Sequence, residues 1–357
     1  MAETIAILGG AGFVGSSLAI GLKHSRPEME IICIDNLRRR GSELNLLRFR
    51  REGISFHHAD IRIASDLASN ALTADTYIDC SAEPSVLAGY DNPAYVVETN
   101  LLGTVNILEL ARRNRARMLF LSTSRVYSVP ALRALRFSEG ATRFTLAADQ
   151  SQTGASENGI DERFATSGQR TLYGTTKLAS ELLIEEYRAS YGVGSIVNRC
   201  GVLAGPWQMG KVDQGVFVLW LAAHYFEKPL SYIGYGGSGK QVRDLLHVED
   251  LVALIHHQLN HFSDLEGSLF NVGGGLTNSL SLLETTELCR ELTGKTVEIV
   301  AVPEERQGDV PCFITDSTQV MMKTGWRPRL DPRKILTDIR DWIVEHESLL
   351  RGILKGA

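Results

Sequence analysis

The side chains best suited to proton transfer are those of Tyr173 and Lys177, in the segment YGTTK. Their four-residue spacing places both on one face of a helix. A nearby ammonium group lowers the pKa of a phenol from about 10 towards neutrality, so the phenol can act as a general base or acid. Because solvated helix faces also carry such pairs, the interpretation depends on two further motifs, the strand end STS at 122–124 and a glycine-rich segment near the N-terminus.

That glycine-rich segment, GGAGFVG, follows a predicted strand and opens a predicted helix. Gly9, Gly12 and Gly15 permit a tight turn and close approach of the backbone to a pyrophosphate. The first helical residues, Phe13 and Val14, belong to a helix N-terminus that offers free N–H groups and a positive dipole end. A glycine turn between a strand and a helix is typical of dinucleotide binding.

An acidic residue at the end of the second predicted strand favours NAD over NADP. Asp35, followed by Asn36, lies where a carboxylate accepts hydrogen bonds from the adenosine ribose and repels a 2′-phosphate. The arginines at 38–40 follow closely enough to compensate a phosphate, so NADP stays open. We expect Asp60 and Ile61, after the third strand, to close an adenine pocket, although Asp60 is explained nearly as well as an ordinary loop residue.

Composition and charge exclude several classes of protein. The 357 residues are 44% hydrophobic and 22% charged, which is typical of a globular protein with a large core. A net charge of -5 gives no general attraction for nucleic acid or an anionic membrane. The basic residues at 38–40 and 48–51 fit a solvated loop and helix face better than a nucleic-acid patch.

The cysteines and the N-terminus indicate a cytoplasmic location. The five cysteines are scattered without a CxxC pair, so we predict no metal site and no disulfide framework. The N-terminus carries no secretion signal, and no apolar run reaches membrane-spanning length. We therefore expect no membrane partner and no nucleic-acid partner.

Short β-branched runs alternate with helical patterns in the first half, which predicts an α/β fold. The expected architecture is a Rossmann-type, doubly wound parallel sheet with a smaller mixed α/β substrate domain. The predicted strands lie at 4–8, 30–34, 54–57, 76–80 and 118–122, and the two long helices at 94–115 and 174–191. The apolar faces of these helices are expected to be buried within the monomer or against a second subunit.

The domain boundaries follow from this pattern. We expect an NAD-binding domain at 1–197 with a return segment near 240–262, and a substrate domain at 198–239 and 263–357. Residues 128–170 break the α/β pattern and are interpreted as a long insertion, a lid or substrate wall. The segment 207–209 (Trp207, Gln208, Met209) either packs within its loop or contacts a sugar or base.

The chain resembles the extended short-chain dehydrogenase/reductases over nearly its whole length. The motifs that carry the resemblance are, in order, GGAGFVG, DNL, DIR, TNLLGTVNILELA, STSRVYS and YGTTK. The resemblance implies that Tyr173 is the acid/base, that Lys177 holds the nicotinamide ribose and tunes Tyr173, and that Thr123 hydrogen-bonds the reacting sugar hydroxyl. The residues that it places along the cofactor are Ser81, Ala82 and Asn100.

The positions after Thr123 discriminate among the reactions of this family. In its sugar dehydratases the catalytic Thr is followed by Asp and Glu, which handle protons during loss of water, and the related decarboxylases also place Glu at the second position. This chain has Ser124 and Arg125 there. An epimerase needs neither carboxylate, so the resemblance favours epimerisation.

A narrower resemblance, to the CDP-tyvelose (CDP-paratose) 2-epimerases, lies outside these motifs. Its segments are SEGATRFTLAAD at 138–149, NGIDE at 158–162, DQG at 213–215 and GKQVRDLLHVED at 239–250. It implies that Arg243 grips the pyrophosphate of the substrate and that Arg306 is a second phosphate contact. The further expected substrate contacts are Ser124, Arg125 and Gln214. The chain departs from those enzymes in having STSRVYS for their STNKVYG and, within NRCGVLAG, Val202 where many relatives have an amide or hydroxyl.

These expectations describe an NAD-dependent nucleotide-sugar epimerase. Transient oxidation to a ketosugar and return of hydride to the opposite face would invert one carbon, with NAD held tightly throughout. We expect C2 of a CDP-hexose; the alternatives are C4 of a UDP-sugar and a dehydrogenase or reductase with net NAD(P)H turnover. A sensor that has lost activity is disfavoured because Thr123, Tyr173 and Lys177 are all present. A homodimer or homotetramer is expected.

Overall fold

The computed structural model of the chain describes residues 3–210 and 214–354. The chain folds into two compact units. The first contains the residues up to Val126 together with Thr171–Arg199 and Leu251–Phe270. The second contains Tyr127–Arg170, Cys200–Asp250 and the residues from Asn271 onwards.

The strands of the described residues are, in chain order, β1 (Thr4–Leu8), β2 (Glu30–Asp35), β3 (Ser55–His58), β4 (Thr76–Asp79), β5 (Arg117–Thr123), β6 (Phe137–Glu139), β7 (Phe144–Leu146), β8 (Ala155–Ser156), β9 (Gly159–Ile160), β10 (Ser195–Cys200), β11 (Val202–Ala204), β12 (Leu230–Ile233), β13 (Val242–His247), β14 (Leu269–Val272), β15 (Ser279–Ser281), β16 (Ile299–Val302) and β17 (Cys312–Phe313).

The α-helices are α1 (Phe13–Ser25), α2 (Asn45–Glu52), α3 (Ala88–Asp91), α4 (Pro93–Val97), α5 (Gly103–Asn114), α6 (Val129–Arg133), α7 (Leu172–Tyr191), α8 (Val216–Tyr225), α9 (Val248–Asn260), α10 (Phe262–Leu265), α11 (Leu282–Thr293), α12 (Thr318–Thr324), α13 (Pro332–Glu345) and α14 (Glu347–Leu354).

The main sheet has seven strands in the order β14-β10-β5-β4-β1-β2-β3. Strands β1 to β5 pair in parallel, with Ala6 of β1 opposite Ile32 of β2 and Tyr77 of β4. The chain runs outward from β1 to β3 and returns to the other side of β1 with β4, so the strand order reverses beside β1. In doubly wound sheets, ligands bind at the carboxyl ends of the strands at this reversal point. The predicted doubly wound sheet is confirmed.

The long helix predicted at 94–115 is confirmed, with one irregularity. It consists of α4, a π-helical turn at Glu98–Leu102 and α5. Pro93 stands in the first turn, where its missing N–H costs nothing, and the Asn92 side chain caps the Tyr95 amide. Asn100 lies in the π turn, a feature that is frequent at functional sites.

The second unit contains a four-stranded sheet and several short strand pairs. Strand β13 lies between β11 and β15 and also pairs with β17, while β12 pairs with β16. Helix α8 packs against α11 and α13. It is apolar on almost every side because its neighbours cover it almost completely.

Residues 127–170 contain α6 and the small hairpins β6–β7 and β8–β9, and they belong to the second unit. The domain boundaries expected from the sequence kept this segment in the first domain. Tertiary contacts explain the difference. The Tyr127 hydroxyl donates to the Asn271 side chain (2.7 Å) and the Asp161 carbonyl (3.2 Å), and its ring lies 6.2 Å from that of Phe313. Ile160 forms a β-bridge with Thr315.

None of the helices within residues 3–210 and 214–354 combines the length and the apolar character needed to cross a membrane.

The contacts of Tyr127 give a first prediction. Replacing Tyr127 with Phe should lower the free energy of unfolding by about 1–3 kcal/mol, since the buried Asn271 side-chain oxygen loses its donor while the ring remains. The matched control is Tyr191→Phe, where the side chain is 58% exposed and a change within about 0.5 kcal/mol is expected. Urea denaturation measures both. Equal losses in the two variants would show that the Tyr127 hydroxyl does not hold the insertion in place.

Candidate active site

The glycine turn after β1 is built so tightly that three of its glycines, Gly9, Gly10 and Gly15, tolerate no side chain. Gly9 has φ +70°, and a Cβ there would lie 2.8 Å from the Ser81 backbone after β4. A Cβ on Gly15 would lie 2.3 Å from the Gly9 carbonyl oxygen, whereas Gly12 is less constrained, at 3.2 Å from that oxygen. The turn therefore lies against the backbone after β4, at the point where the strand order reverses.

Helix α1 begins at Phe13, directly after this turn. Its N-cap residue is Gly12, which supplies no side-chain cap. The amides of Phe13, Val14 and Gly15 in the first turn thus face a glycine cradle, which is the arrangement that binds a pyrophosphate. The residues present fit a dinucleotide.

Asp35 closes the far side of the same turn. One carboxylate oxygen accepts from the Ala11 amide (3.1 Å) and the other from the Leu37 amide (2.8 Å). Burial raises the pKa of Asp35, and these amide hydrogen bonds oppose that rise. Each oxygen has a second lone-pair direction that a ribose hydroxyl can use.

Asp60 is the centre of a small polar network. It accepts hydrogen bonds from Asn36 (3.0 Å) and forms a 2.6 Å ion pair with Arg62. The hydrogen bonds from Arg62 hold the pKa of Asp60 well below its usual range. Ile61 is buried, and its carbonyl accepts from the Asn106 side chain on α5 at 2.8 Å. Asp60 is therefore fixed in a network that includes Asn36, the residue after Asp35.

The loop after β4 is held by two buried side chains. Asp79 accepts from the Ser81 amide (2.9 Å) and hydroxyl (2.5 Å), which orients the residues leading to Ala82. The Asn100 side chain accepts from the Glu83 amide (2.7 Å) and donates to the Glu83 carbonyl (3.1 Å). Ser81 thus lies against Gly9 of the glycine turn, and Asn100 fixes the loop that follows Ser81 and Ala82. The sequence did not identify Asp79, which is buried at the end of β4.

Tyr173, Lys177 and Thr123 all lie in the first unit, on two elements that pack together. Tyr173 and Lys177 occupy the first turns of α7, whose N-cap Thr171 accepts from the Gly174 amide at 3.3 Å. Thr123 ends β5, against which α7 packs. The Lys177 side chain is 1% exposed, and its ammonium lies 3.8 Å from the centre of the Phe120 ring of β5. This geometry is a cation–π contact, in which the ammonium is attracted to the face of the ring.

A buried ion pair fastens α7 to the sheet directly beside these residues. Arg199 of β10 makes a bidentate contact with Glu181, with nitrogen–oxygen distances of 3.1 Å and 2.7 Å. The Ser122 hydroxyl, on the residue before Thr123, also donates to Glu181. The motifs of the sequence do not reveal this network. One feature of the sequence points to it: Glu181 follows Lys177 by four residues, as Lys177 follows Tyr173, so all three lie on one face of α7.

Ser124 and Arg125 form a single 3₁₀ turn after β5. The Arg125 amide donates to the Thr123 hydroxyl oxygen at 3.2 Å, so the hydroxyl proton of Thr123 is directed elsewhere. Both side chains are half-buried. Neither position offers a carboxylate.

The remaining expected substrate residues lie in the second unit. Arg243 of β13 forms a 2.6 Å ion pair with Asp309 and donates to the Val310 carbonyl at 2.8 Å. The Asp309 amide in turn donates to the Arg306 carbonyl, so the turn that contains Arg306 also orients Arg243. Gln214 precedes α8, and Asp213 of the DQG motif lies outside the described residues.

The segment 207–209 packs within its own unit. The Trp207 ring lies 5.8 Å from that of Trp342 and 4.9 Å from that of His346. Gln208 donates to the Leu203 carbonyl at 3.0 Å, and Met209 is buried. Of the two interpretations left open for this segment, these contacts favour loop packing.

Side chains that could ligate a metal do not gather in groups of three or more anywhere in residues 3–210 and 214–354.

Known proteins of similar sequence belong to one enzyme family. Residues 5–273 match the model of the NAD dependent epimerase/dehydratase family. The chain is 30% identical to the CDP-paratose 2-epimerase of Salmonella typhi, over 94% of this chain and 98% of that protein. It is 25% identical to the dTDP-glucose 4,6-dehydratase of Salmonella typhimurium, over 99% of this chain and 96% of that protein.

A solved structure shows the same fold. The UDP-glucuronic acid 4-epimerase from Bacillus cereus, in complex with UDP-glucuronic acid and NAD, matches with a TM-score of 0.79 and 20% identity. The match covers 96% of this chain and 99% of that chain.

The buried ion pair gives a second prediction. Glu181→Gln should lower the free energy of unfolding by roughly 3 kcal/mol, because Arg199 is left as a buried charge without its counterion. Combining Glu181→Leu with Arg199→Met should recover most of that loss, since no charge is then left unpaired.

The matched control for this prediction is Glu287→Gln, which breaks the exposed pair with Arg290. A loss below about 1 kcal/mol is expected there. Chemical denaturation measures all the variants. If Glu181→Gln proved as mild as Glu287→Gln, the buried pair would have no special part in fixing α7.

Proposed function

This chain belongs to the NAD dependent epimerase/dehydratase family, and we propose that within it the protein epimerises a nucleotide-activated sugar. The reaction proposed is inversion at C2 of a CDP-hexose, of the CDP-paratose/tyvelose type. The similarity to the CDP-paratose 2-epimerase of Salmonella typhi, which extends over 94% of this chain, supports the choice of nucleotide and carbon.

The observation on which the choice of epimerisation rests is the 3₁₀ turn after Thr123. Elimination of water from a sugar needs one group that protonates the departing hydroxyl and another that deprotonates the neighbouring carbon. The turn supplies a hydroxyl at Ser124 and a guanidinium at Arg125, and a guanidinium stays protonated in proteins. Epimerisation by oxidation and reduction at a single carbon requires only one acid/base for the sugar hydroxyl.

Tyr173 is proposed as that acid/base. With the positive charge of Lys177 one helical turn away, the phenolate form is favoured and can accept the proton of the sugar hydroxyl. Bound NAD would supply the redox chemistry, as acceptor of the hydride from the same carbon and as its donor to the opposite face of the ketosugar. Tyr173 then gives its proton back to the oxygen of the ketosugar, so protons and electrons balance over one turnover.

Thr123 and Lys177 position the reactants. The Thr123 hydroxyl oxygen accepts a hydrogen bond from the Arg125 amide. The proton of the Thr123 hydroxyl is therefore left to be donated to the sugar oxygen. Lys177 is proposed to donate to the nicotinamide ribose. Gly9, Gly12 and Gly15 would receive the pyrophosphate of NAD, and Asp35 its adenosine ribose.

Substrate recognition is proposed for five further side chains. Ser124 and Arg125 would contact the sugar, and Gln214 a further part of the substrate. Arg243 and Arg306 would bind the pyrophosphate of the nucleotide, for which the planar fork of a guanidinium is well suited. The homodimer or homotetramer and the cytoplasmic location stay predictions.

A panel of substrates tests the proposal. Purified protein without added cofactor is incubated with CDP-, UDP- and GDP-sugars, and the sugar ring is followed by NMR. The expected result is inversion at C2 of a CDP-sugar with no net NADH. Inversion at C4 of a UDP-sugar would contradict the proposed substrate and carbon but would support the proposed redox mechanism. Turnover only with consumed NAD(P)H would overturn epimerisation in favour of a dehydrogenase or reductase.

Tyr173→Phe supplies the matched test of the acid/base. It should lower kcat by roughly 10²–10⁴-fold, since the ring stays in place and only the proton carrier is lost. Tyr187→Phe, further along the same helix, should leave kcat within about twofold because that hydroxyl pairs with Glu109. A Tyr173→Phe variant with undiminished kcat would contradict the assignment.

A further inference from the structure

The ring of Tyr95 is shared by two arginines. The guanidinium carbon of Arg38 lies 4.2 Å from the ring centre, and that of Arg62 lies 5.0 Å from it. Both distances are within the range of about 6 Å over which a guanidinium is attracted to an aromatic face. Tyr95, Arg38 and Arg62 together are called the clasp below.

The three residues of the clasp come from three different crossovers of the sheet. Arg38 follows β2, three residues after Asp35, and Arg62 follows β3. Tyr95 belongs to α4, in the crossover after β4. Because β4 lies on one side of β1 and both β2 and β3 on the other, the contacts of Tyr95 join the two sides of the strand-order reversal.

Nearby carboxylates allow two cations to share one ring. Arg62 pairs with Asp60 at 2.6 Å and with Glu98, three residues after Tyr95, at 3.7 Å. These negative charges offset the repulsion between the two guanidinium groups. The Asn36 side chain donates to Asp60, so the clasp is connected to the segment that begins at Asp35.

From these contacts we propose that the clasp closes over the adenosine half of NAD and slows its dissociation, with Tyr95 as a cofactor-retention residue. The inference rests on the proposed function, in which Asp35 binds the adenosine ribose. The clasp connects the loops after β2 and β3 to α4, and these are the elements between which the adenosine would have to leave. Breaking it removes a tie between the two sides without touching Tyr173, Lys177 or Thr123.

The clasp also explains a feature that the sequence left open. The arginines at 38–40 could have compensated a 2′-phosphate, which would favour NADP. In the structure Arg38 lies over the Tyr95 ring instead, and Asp35 faces the glycine turn. The positive charge of Arg38 is thus used to hold the cofactor site together.

The test is the dissociation rate of NAD, measured without any sugar. Each purified protein is loaded with isotopically labelled NAD and chased with an excess of unlabelled NAD, and the label still bound is followed in time. Tyr95→Ala should raise the dissociation rate constant about tenfold and lower the NAD that copurifies with the protein. Tyr95→Phe keeps the ring and should stay within about twofold of the unaltered protein.

Two further variants keep the test decisive. Tyr90→Ala, at an exposed tyrosine on α3, is the matched control and should leave NAD retention unchanged. Arg38→Gln changes an exposed side chain and should also speed dissociation. The proposal is overturned if Tyr95→Ala and Arg38→Gln release NAD at the rate of the unaltered protein.

The outcome separates this inference from the proposed function. If Tyr95→Ala speeds the release of NAD but the unaltered protein epimerises no sugar, the proposed function fails and the clasp is supported. If sugars are epimerised but Tyr95→Ala retains NAD normally, the clasp fails alone. A protein that binds no NAD at all contradicts both.

Discussion

The proposed chemistry depends on how one helix is fixed against one strand. Helix α7 carries Tyr173 and Lys177, and β5 ends at Thr123. Glu181 reaches across to Arg199 and Ser122, a bidentate ion pair and a hydroxyl contact in a buried setting. Displacing α7 along the sheet would leave a buried charge without its counterion, so the pair opposes such a displacement. That register decides whether a proton carrier and a hydroxyl can meet at the same sugar oxygen.

The cofactor side is governed by a different constraint, close approach of backbone to backbone. Side chains are excluded at Gly9 and Gly15, and the N-terminus of α1 carries no side-chain cap. An epimerase that returns the hydride it removed has no need to release its cofactor during turnover. The tight glycine turn, the proposed binding of the adenosine ribose by Asp35 and the proposed clasp at Tyr95 all serve that requirement.

The sequence predicted what local pattern determines. The strands, the glycine turn and the helix face of Tyr173 and Lys177 follow from periodicity and short spacings. Contacts between distant segments could not be predicted in this way. Glu181 lies 59 residues from Ser122, and Tyr127 lies 144 residues from Asn271, the contact that groups the insertion with the second unit. The ion pair of Asp60 lies between these two cases: it is a tertiary feature of the site, but its partner Arg62 is only two residues away in the sequence.

The central claim is that one carbon loses and regains the same hydrogen. The most direct measurement uses a CDP-hexose deuterated at C2, incubated in ordinary water with the protein and no added cofactor, with the product analysed by mass spectrometry and NMR. The account predicts inverted C2 with the deuterium retained, since the hydride is held on NAD, shielded from solvent, until it returns. Inverted product in which solvent hydrogen has replaced the deuterium would contradict it, because the hydrogen would then have left as a proton.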